Sequence, residues 1–252
     1  MKTLDAKHYL LEVRLLRDKV PSFDQYPFSL PAVHGLDRIE LHPAVTFLVG
    51  ENGAGKSTLL EAIAIAWGFN PEGGTRNFNF ATHQSHSELN KFIRLSRGYR
   101  RPKDGFFFRA ESFFNVATEI EHLDEAPSFG PPIVDSYGGR SLHKQSHGES
   151  FFALMMNRFG GNGLYILDEP EAALSPTRQM AMLSRMHELV RNNSQFIIAT
   201  HSPIIMAYPD AQMFFLSERG VAPISYEETE HFRVTKDFLN NRGKMLRVLL
   251  DQ

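Results

Sequence analysis

Residues 50–58 combine glycines with a lysine and two hydroxyls in the spacing G-x-x-x-x-G-K-[ST], directly after the apolar run Val45–Val49. Glycines let backbone N–H groups turn toward a phosphate, and a helix that begins near Lys56 directs its positive end at the same anion. Lys56 can reach the outer phosphates and Ser57 can ligate Mg²⁺. The predicted phosphate-binding loop consists of Gly50, Glu51, Asn52, Gly53, Ala54, Gly55, Lys56, Ser57 and Thr58.

Two neighbouring carboxylates follow the apolar run Leu164–Leu167. Open α/β sheets bind ligands at the carboxyl ends of their strands, which is where Asp168 and Glu169 are expected. Asp168 would hold Mg²⁺, directly or through water, and Glu169 would polarise an attacking water molecule. Taken alone, the pair could equally be a solvated acidic turn. The phosphate-binding loop earlier in the chain favours the catalytic interpretation.

The pattern of apolar runs predicts the fold. Five short runs are apolar throughout, as in strands that are buried on both faces. Helical stretches lie between several of them, which predicts an α/β fold with a mostly parallel sheet covered by helices. The runs are Val45–Val49, Phe106–Ala110, Leu164–Leu167, Phe196–Ala199 and Met213–Leu216, and the helical stretches are Ser57–Trp67, Ser150–Arg158 and Pro176–Arg191. Within one domain, 1–252, the polar and Pro/Gly-rich segment 70–145 is predicted to form a lateral or inserted subdomain, helical and irregular.

The loop at 50–58 together with Leu167-Asp168-Glu169-Pro170 resembles the ABC-type P-loop ATPase superfamily. The runs 51–63 and 168–176 are similar to its stand-alone AAA-family members, of the RecF, DNA-repair and phage-defence types, more than to transporter subunits. The resemblance implies binding and hydrolysis of ATP with Mg²⁺. Lys56 and Glu169 would then be catalytic, and Ser57 and Asp168 would ligate the metal.

The resemblance also implies two further elements. A signature loop is expected before Asp168, and Ser146-His147-Gly148-Glu149 lies there, with His147 in place of a glycine. Ser146, Gly148 and Glu149 would contact the ATP held by a second copy. Ser146 and Glu149 also have the spacing of a capping box, and both interpretations can hold together. His201, after the run Phe196–Ala199, would be the catalytic switch histidine, and residues 171–175 would contact the partner subunit.

Two assignments that the resemblance suggests stay open. The family's metal-sensing glutamine corresponds to Glu111, after the run Phe106–Ala110, or to Gln84, which no apolar run precedes. Glu111 is thus a third candidate metal ligand or a solvated turn residue. Tyr26 and Phe28 are candidates for stacking on adenine by position only, and each could simply be a core residue.

Composition limits the class of protein. The chain has 252 residues, 42% hydrophobic, a net charge of −2 and no cysteine. Disulfides and thiolate metal sites are therefore excluded. The N-terminus lacks the apolar stretch of a signal peptide, and no apolar run approaches the roughly 18 residues of a membrane helix. We expect a soluble, cytoplasmic protein with no intrinsic membrane segment.

The sequence is compatible with three functions. The first is an ATPase switch that homodimerises on ATP and acts on a partner effector or on nucleic acid, through the basic cluster Lys91–Lys103, which could also be a solvated loop. The second is the ATP-binding subunit of a membrane transporter, with an apolar groove near residues 111–135 that uses Phe113, Phe114 and Phe129. The third is a non-catalytic ATP-binding module, which the acid at Glu169 disfavours.

Overall fold

The computed structural model describes residues 9–76, 87–125 and 130–250, which contain two β-sheets. The smaller sheet is antiparallel, with strand order β2-β1-β4. Its strands are β1 (Leu10–Leu15), β2 (Arg38–Glu40) and β4 (Ile93–Arg97). Gln195 joins this sheet to the larger one. Its buried side-chain amide donates to Leu10 O and accepts from the N–H groups of Tyr9 and Leu10.

The larger sheet has six strands in the order β5-β6-β7-β3-β8-β9. All strands from β5 to β8 along this order pair in parallel, and β9 pairs antiparallel with β8. The strands are β3 (Val45–Gly50), β5 (Asp104–Arg109), β6 (Gly163–Asp168), β7 (Gln195–Ala199), β8 (Gln212–Ser217) and β9 (Gly220–Pro223). Each predicted apolar run corresponds to one parallel strand, so the predicted mostly parallel sheet is confirmed.

Helices cover both faces of the larger sheet, as predicted. The helices are α1 (Pro31–His34), α2 (Lys56–Trp67), α3 (Phe113–Glu125), α4 (His147–Ala153), α5 (Pro176–Arg191), α6 (Pro203–Met206), α7 (Glu230–Asn240) and α8 (Arg242–Leu249). The predicted helix Pro176–Arg191 agrees with α5 at both ends. The predicted stretch Ser150–Arg158 covers the end of α4 and a following π-helical turn, Leu154–Arg158.

Two hydrophobic clusters hold these layers together. In one, α2 lies between the two sheets, and Leu59 and Ile63 share a core with Leu10 and with Leu48 of the larger sheet. In the other, α3, α4 and α5 pack on the opposite face of the larger sheet. The Phe108 ring lies 4.1 Å from that of Phe151 in this second core. Helix α2, which follows the phosphate-binding loop, is therefore held on both sides.

The segment 70–145 is divided between the layers. Strand β4 extends the antiparallel sheet and β5 forms an edge of the parallel sheet, because their apolar side chains are buried by this pairing. In the described part of this segment, α3 and two 3-10 turns, Ile133–Tyr137 and Leu142–Lys144, form a lateral helical part. The predicted boundaries 70–145 therefore do not enclose one inserted unit, and the lateral part begins after β5.

Candidate active site

The predicted functional residues follow strands that are neighbours in the larger sheet. Strand β7 lies between β6 and β3, and Arg109, Asp168 and Ala199 stand side by side in register at the ends of β5, β6 and β7. Leu48 of β3 pairs with the same Ala199. Because parallel strands end at one edge, the segments that carry Lys56, Asp168 and His201 meet there.

The loop after β3 has a backbone that depends on glycine. Gly53 and Gly55 have φ values of 79° and 95°, which side chains rarely adopt. At Gly50, with φ 151°, an added Cβ would lie 2.4 Å from Leu216 O. Helix α2 begins at Lys56, directly after this loop, so the N-terminal end of the helix faces the loop's concave side.

Lys56 is buried at the base of the loop. Its Nζ donates to Gly50 O at 2.9 Å and to Glu51 O at 2.8 Å. Burial lowers the pKa of Lys56, and the nearby carboxylates of Glu169, Asp168 and Glu171 oppose that shift. The lysine therefore brings positive charge to the edge where the acids lie.

Ser57 and Asp168 meet across the site. The Ser57 hydroxyl donates to Asp168 Oδ1 at 3.0 Å. Burial raises the pKa of Asp168 to about 7, although the Ser57 hydrogen bond and the charge of Arg109 lower it. A desolvated carboxylate beside a hydroxyl is a favourable place for a hard cation, which would replace the lost hydration.

This donor set fits Mg²⁺ rather than a metal enclosed by protein ligands. The described part of the chain contains no group of three or more His, Asp or Glu side chains that could hold a metal ion. Mg²⁺ usually takes one or two protein ligands and completes its shell with water and substrate phosphates. Ser57 and Asp168 supply that number.

The backbone of Glu169 has an unusual conformation, which a hydrogen bond fixes. The residue has a left-handed conformation, φ 47° and ψ 53°, and its N–H donates to Ala199 O at 2.9 Å. A non-glycine residue in this region is strained, and such residues often occur at functional sites. The Glu169 side chain is partly exposed, and its Oε1 lies 3.8 Å from His201 Nε2.

His201 presents a buried nitrogen toward Glu169. Among the described residues, its Nε2 has no hydrogen-bond partner, whereas its Nδ1 lies 2.8 Å from His231 Nε2. Burial, together with the charges of Lys56 and His231, lowers the pKa of His201 to about 4. The imidazole is therefore neutral at pH 7. Its backbone N–H donates to Glu171 Oε1 at 2.5 Å.

Sequence reasoning missed three residues at this site. Glu171 was expected at a partner interface, but its carboxylate turns inward and holds the backbone of His201. Arg109 pairs with Glu61 and lowers the pKa of the buried Asp168. Arg109 could have been found as the one charge within an apolar run, whereas nothing in the pattern around His231 indicates its contact with His201.

The predicted signature residues lie on α4, away from the phosphate-binding loop. Ser146 and Glu149 form the capping box: Ser146 N donates to Glu149 Oε2 at 3.0 Å, and Glu149 N donates to Ser146 Oγ at 3.4 Å. An added Cβ on Gly148 would lie 2.2 Å from Ala173 O, so α4 packs closely on the turn after Glu169. No described hydrogen bond or ion pair joins these residues to residues 50–58.

The open assignments have different outcomes. The Glu111 side chain is 90% exposed and pairs with Arg109, and no described hydrogen bond or ion pair joins it to Ser57 or Asp168. Gln84 lies outside the described residues. Phe28 is a core residue, because it is buried and its ring packs 4.9 Å from that of Phe92. Tyr26 is exposed.

The comparisons with known proteins agree with this geometry. A family model described as an AAA domain matches residues 25–125, and one described as an AAA ATPase domain matches residues 147–206. The first range contains the phosphate-binding loop, and the second contains Asp168, Glu169 and His201. These matches support the superfamily of P-loop ATPases that includes the AAA and ABC proteins.

Several relatives of this chain carry transport names. The hemin import ATP-binding protein HmuV of Rhodopseudomonas palustris is 24% identical over 190 residues, which cover 69% of this chain and 70% of that protein. The L-cystine transport system ATP-binding protein TcyN of Escherichia coli is 26% identical over 231 residues, 82% of this chain and 90% of that protein.

A solved ATP-binding cassette of an ABC transporter, in its ADP conformation, has the same fold as this chain. It superposes with a TM-score of 0.50 at 17% identity, covering 85% of this chain and 89% of that one. At this identity the likeness shows the fold alone. In the ranges that the structure describes, no helix is both long and apolar enough to cross a membrane.

Proposed function

We propose that this chain is a P-loop ATPase, which binds ATP with Mg²⁺ at the loop 50–58 and hydrolyses the bond to the terminal phosphate. The contact between Ser57 and Asp168 carries the proposal, because it joins the helix after the loop to the strand that ends in two acids. Lys56 lies beside them, and Glu169 and His201 stand 3.8 Å apart at the same edge.

Each side chain has a role in this reaction. The Lys56 ammonium and the N–H groups of the loop bind the outer phosphates. Ser57 and Asp168 hold Mg²⁺, which neutralises phosphate charge when it is bound. Glu169 orients a water molecule for in-line attack on the terminal phosphorus, and the bond to the bridging oxygen breaks to release ADP and phosphate. His201 Nε2–H donates to a terminal phosphate oxygen, so that catalysis depends on positioning and electrostatics.

A second copy of the chain would complete the site. Ser146 caps α4, and Gly148 and Glu149 lie in its first turn; no described hydrogen bond or ion pair joins them to the loop of their own chain. Two copies arranged head to tail around a two-fold axis bring this helix start to the other copy's ATP. Hydrolysis removes the bridging phosphate and lets the pair open, which makes the enzyme a nucleotide-driven switch.

Within the basic cluster Lys91–Lys103, Arg94 supports nucleic acid as the target of this switch, whereas Arg97 does not. Arg97 is structural, because its guanidinium lies 4.5 Å from the Trp67 ring centroid and donates to Ala66 O. Arg94 is exposed and lies opposite the exposed Arg14 on the next strand, whereas Arg38, on the other side of Arg14, forms ion pairs with Glu12 and Glu40. Like charges directly opposite each other are destabilising, so the pair Arg14 and Arg94 favours an anionic partner such as a phosphate backbone.

The second candidate function is the ATP-binding subunit of a transporter, which the names of the relatives favour. Of the three phenylalanines expected in a groove for a membrane partner, Phe113 is buried in the core. Phe114 is 59% exposed, beside the His143 ring at 4.3 Å. Phe129 lies outside the described residues. Phe114 is therefore the one described member of the groove that could meet such a partner.

A hydrolysis assay with added double-stranded DNA separates these candidates. We expect turnover to rise with DNA, less so at high salt, and the rise to be lost in a variant that combines Arg14→Ala with Arg94→Ala. Arg191→Ala, at the end of α5, is the matched control. Turnover that ignores DNA in the parent would exclude the nucleic-acid target and leave the ATPase in place, with a protein or membrane partner to be sought.

A further inference from the structure

Helix α7 begins directly over His201. The Tyr226 hydroxyl donates to Pro203 O at 2.8 Å, which fixes the turn before α7 to the start of α6. The buried Thr229 caps α7 by accepting from Phe232 N, and the rings of Tyr226 and Phe232 lie 4.5 Å apart. His231, in the first turn of α7, is thereby held with its ring 4.9 Å from that of His201, edge to face.

The two histidines share one proton between their facing nitrogens. His201 Nδ1 and His231 Nε2 are 2.8 Å apart, so one of them donates and the other accepts. Burial lowers the pKa of both rings, and the charge of Lys56 adds to this, so that both are neutral at pH 7. A neutral imidazole has one N–H, and the direction of the shared hydrogen bond therefore decides which nitrogen of His201 faces the site with a proton.

The carboxylate of Glu169 favours one direction of this hydrogen bond, in which His231 is the donor. If His201 carried its proton on Nδ1, the lone pair of the buried Nε2 would face Glu169 Oε1 at 3.8 Å. A proton on Nε2 points positive charge at the carboxylate instead, and the electrostatic difference favours this tautomer. His201 Nδ1 is then the acceptor, and His231 Nε2–H is the donor.

We propose that His231 is a positioning residue for His201, which it holds in the Nε2–H tautomer aimed at the terminal phosphate of bound ATP. This proposal rests on the proposed function, because only bound ATP would bring a phosphate to His201. The tautomer itself is a property of the protein alone. Neither sequence pattern nor the order of the site's motifs places this residue of α7 in the site.

The proposal predicts how hydrolysis responds to substitution of His231. Loss of the orienting partner of a functional histidine lowers activity by about 10- to 100-fold. We expect His231→Ala to lower kcat by that amount and to leave the Kd for ATP near its parental value, because His201 acts on the phosphate in the transition state. His231→Gln should recover most of kcat, since a glutamine Nε2–H can donate in the same place. The matched control is Arg233→Ala, which changes an exposed residue in the same first part of α7.

Nitrogen NMR of ¹⁵N-histidine-labelled protein without nucleotide gives the direct readout, since two-bond couplings distinguish the two tautomers. We expect His201 to be Nε2–H in the parent and in His231→Gln, and a mixture of tautomers in His231→Ala. An Nδ1–H signal for His201 in the parent would overturn the proposal, as would a kcat in His231→Ala equal to that of the parent. A parent that does not hydrolyse ATP would refute the proposed function, while the NMR result would still decide the tautomer.

Discussion

The Ser57 hydroxyl and the Asp168 carboxylate are joined by a hydrogen bond of 3.0 Å across 111 residues of sequence. This bond connects the first turn of α2 with the end of β6. A Mg²⁺ ion that entered here would take the place of the hydroxyl proton as the partner of the carboxylate. The same two oxygens that form this hydrogen bond would therefore hold the metal.

The first prediction concerns Mg²⁺. Ser57→Ala removes one metal ligand and leaves Asp168 in place, so we expect the Mg²⁺ concentration for half-maximal ATP hydrolysis to rise about 10-fold. Titration of MgCl₂ at saturating ATP measures it. Ser184→Ala, on the exposed face of α5, serves as the control. An unchanged Mg²⁺ requirement in Ser57→Ala would remove Ser57 from the metal site.

The second prediction concerns the phosphate-binding loop. Lys56→Ala removes a charged donor to the outer phosphates, which contributes about 1.5–3 kcal/mol, so we expect the Kd for ATP to rise about 10- to 100-fold. Calorimetric titration measures the affinity, and a thermal melt checks the fold. Lys19→Ala, on the exposed turn after β1, should bind ATP as the parent does. Equal affinity in Lys56→Ala would mean that the phosphates bind elsewhere.

The third prediction concerns Glu171. Glu171→Ala leaves the His201 N–H without its acceptor, and we expect the free energy of unfolding to fall by about 1–3 kcal/mol and kcat to fall about 10-fold. Glu171→Gln keeps a carbonyl oxygen in the same position and should retain most of both. Urea denaturation and a hydrolysis assay measure the two effects. If both variants behaved alike, the carboxylate charge rather than the contact with His201 would be the cause.

The fourth prediction concerns stability in acid. Burial alone would raise the pKa of Asp104, but hydrogen bonds from Gly160 N–H and the Tyr165 hydroxyl, together with Arg158, outweigh it and lower that pKa. The stabilisation is therefore complete above the unfolded pKa of about 3.9 and is lost as the pH falls through the lower folded value.

Urea denaturation of the parent and of Asp104→Asn between pH 7 and pH 3 tests this sign. We expect the parent to be more stable at pH 7, and the difference to shrink below about pH 4. A difference that stayed constant over this range would show that the charge of Asp104 does not contribute.

Local sequence predicts most of the fold. The runs at 45–49, 164–167 and 196–199 are apolar apart from Thr46, and strands buried on both faces have this pattern. The segment 70–145 is harder. The run at 106–110 predicts β5, but β4 is short and carries two arginines, so that composition obscures it and does not show that the two strands belong to different sheets. Only long-range pairing, which a single sequence does not record, assigns them.

The catalytic motif residues could also be predicted, but their supports could not. Lys56, Asp168 and His201 each follow an apolar strand, and parallel strands end at one edge of the sheet. The contacts of His201 with Glu171 and His231 each span 30 residues, and the contact with His231 depends on where α7 begins. No periodicity in the sequence determines that position, since it follows from the packing of Tyr226 on Pro203.

The most direct test of the proposed ATPase is the substitution Glu169→Gln, which keeps the size and position of the side chain and removes the carboxylate that acts on water. Steady-state ATP hydrolysis, ATP affinity and mass in solution would be measured for the parent and the variant. We expect the variant to bind ATP with parental affinity, to turn over at least about 100-fold more slowly and to accumulate as an ATP-bound dimer. Hydrolysis by the variant at the parental rate would contradict the role of Glu169 and the mechanism built on it.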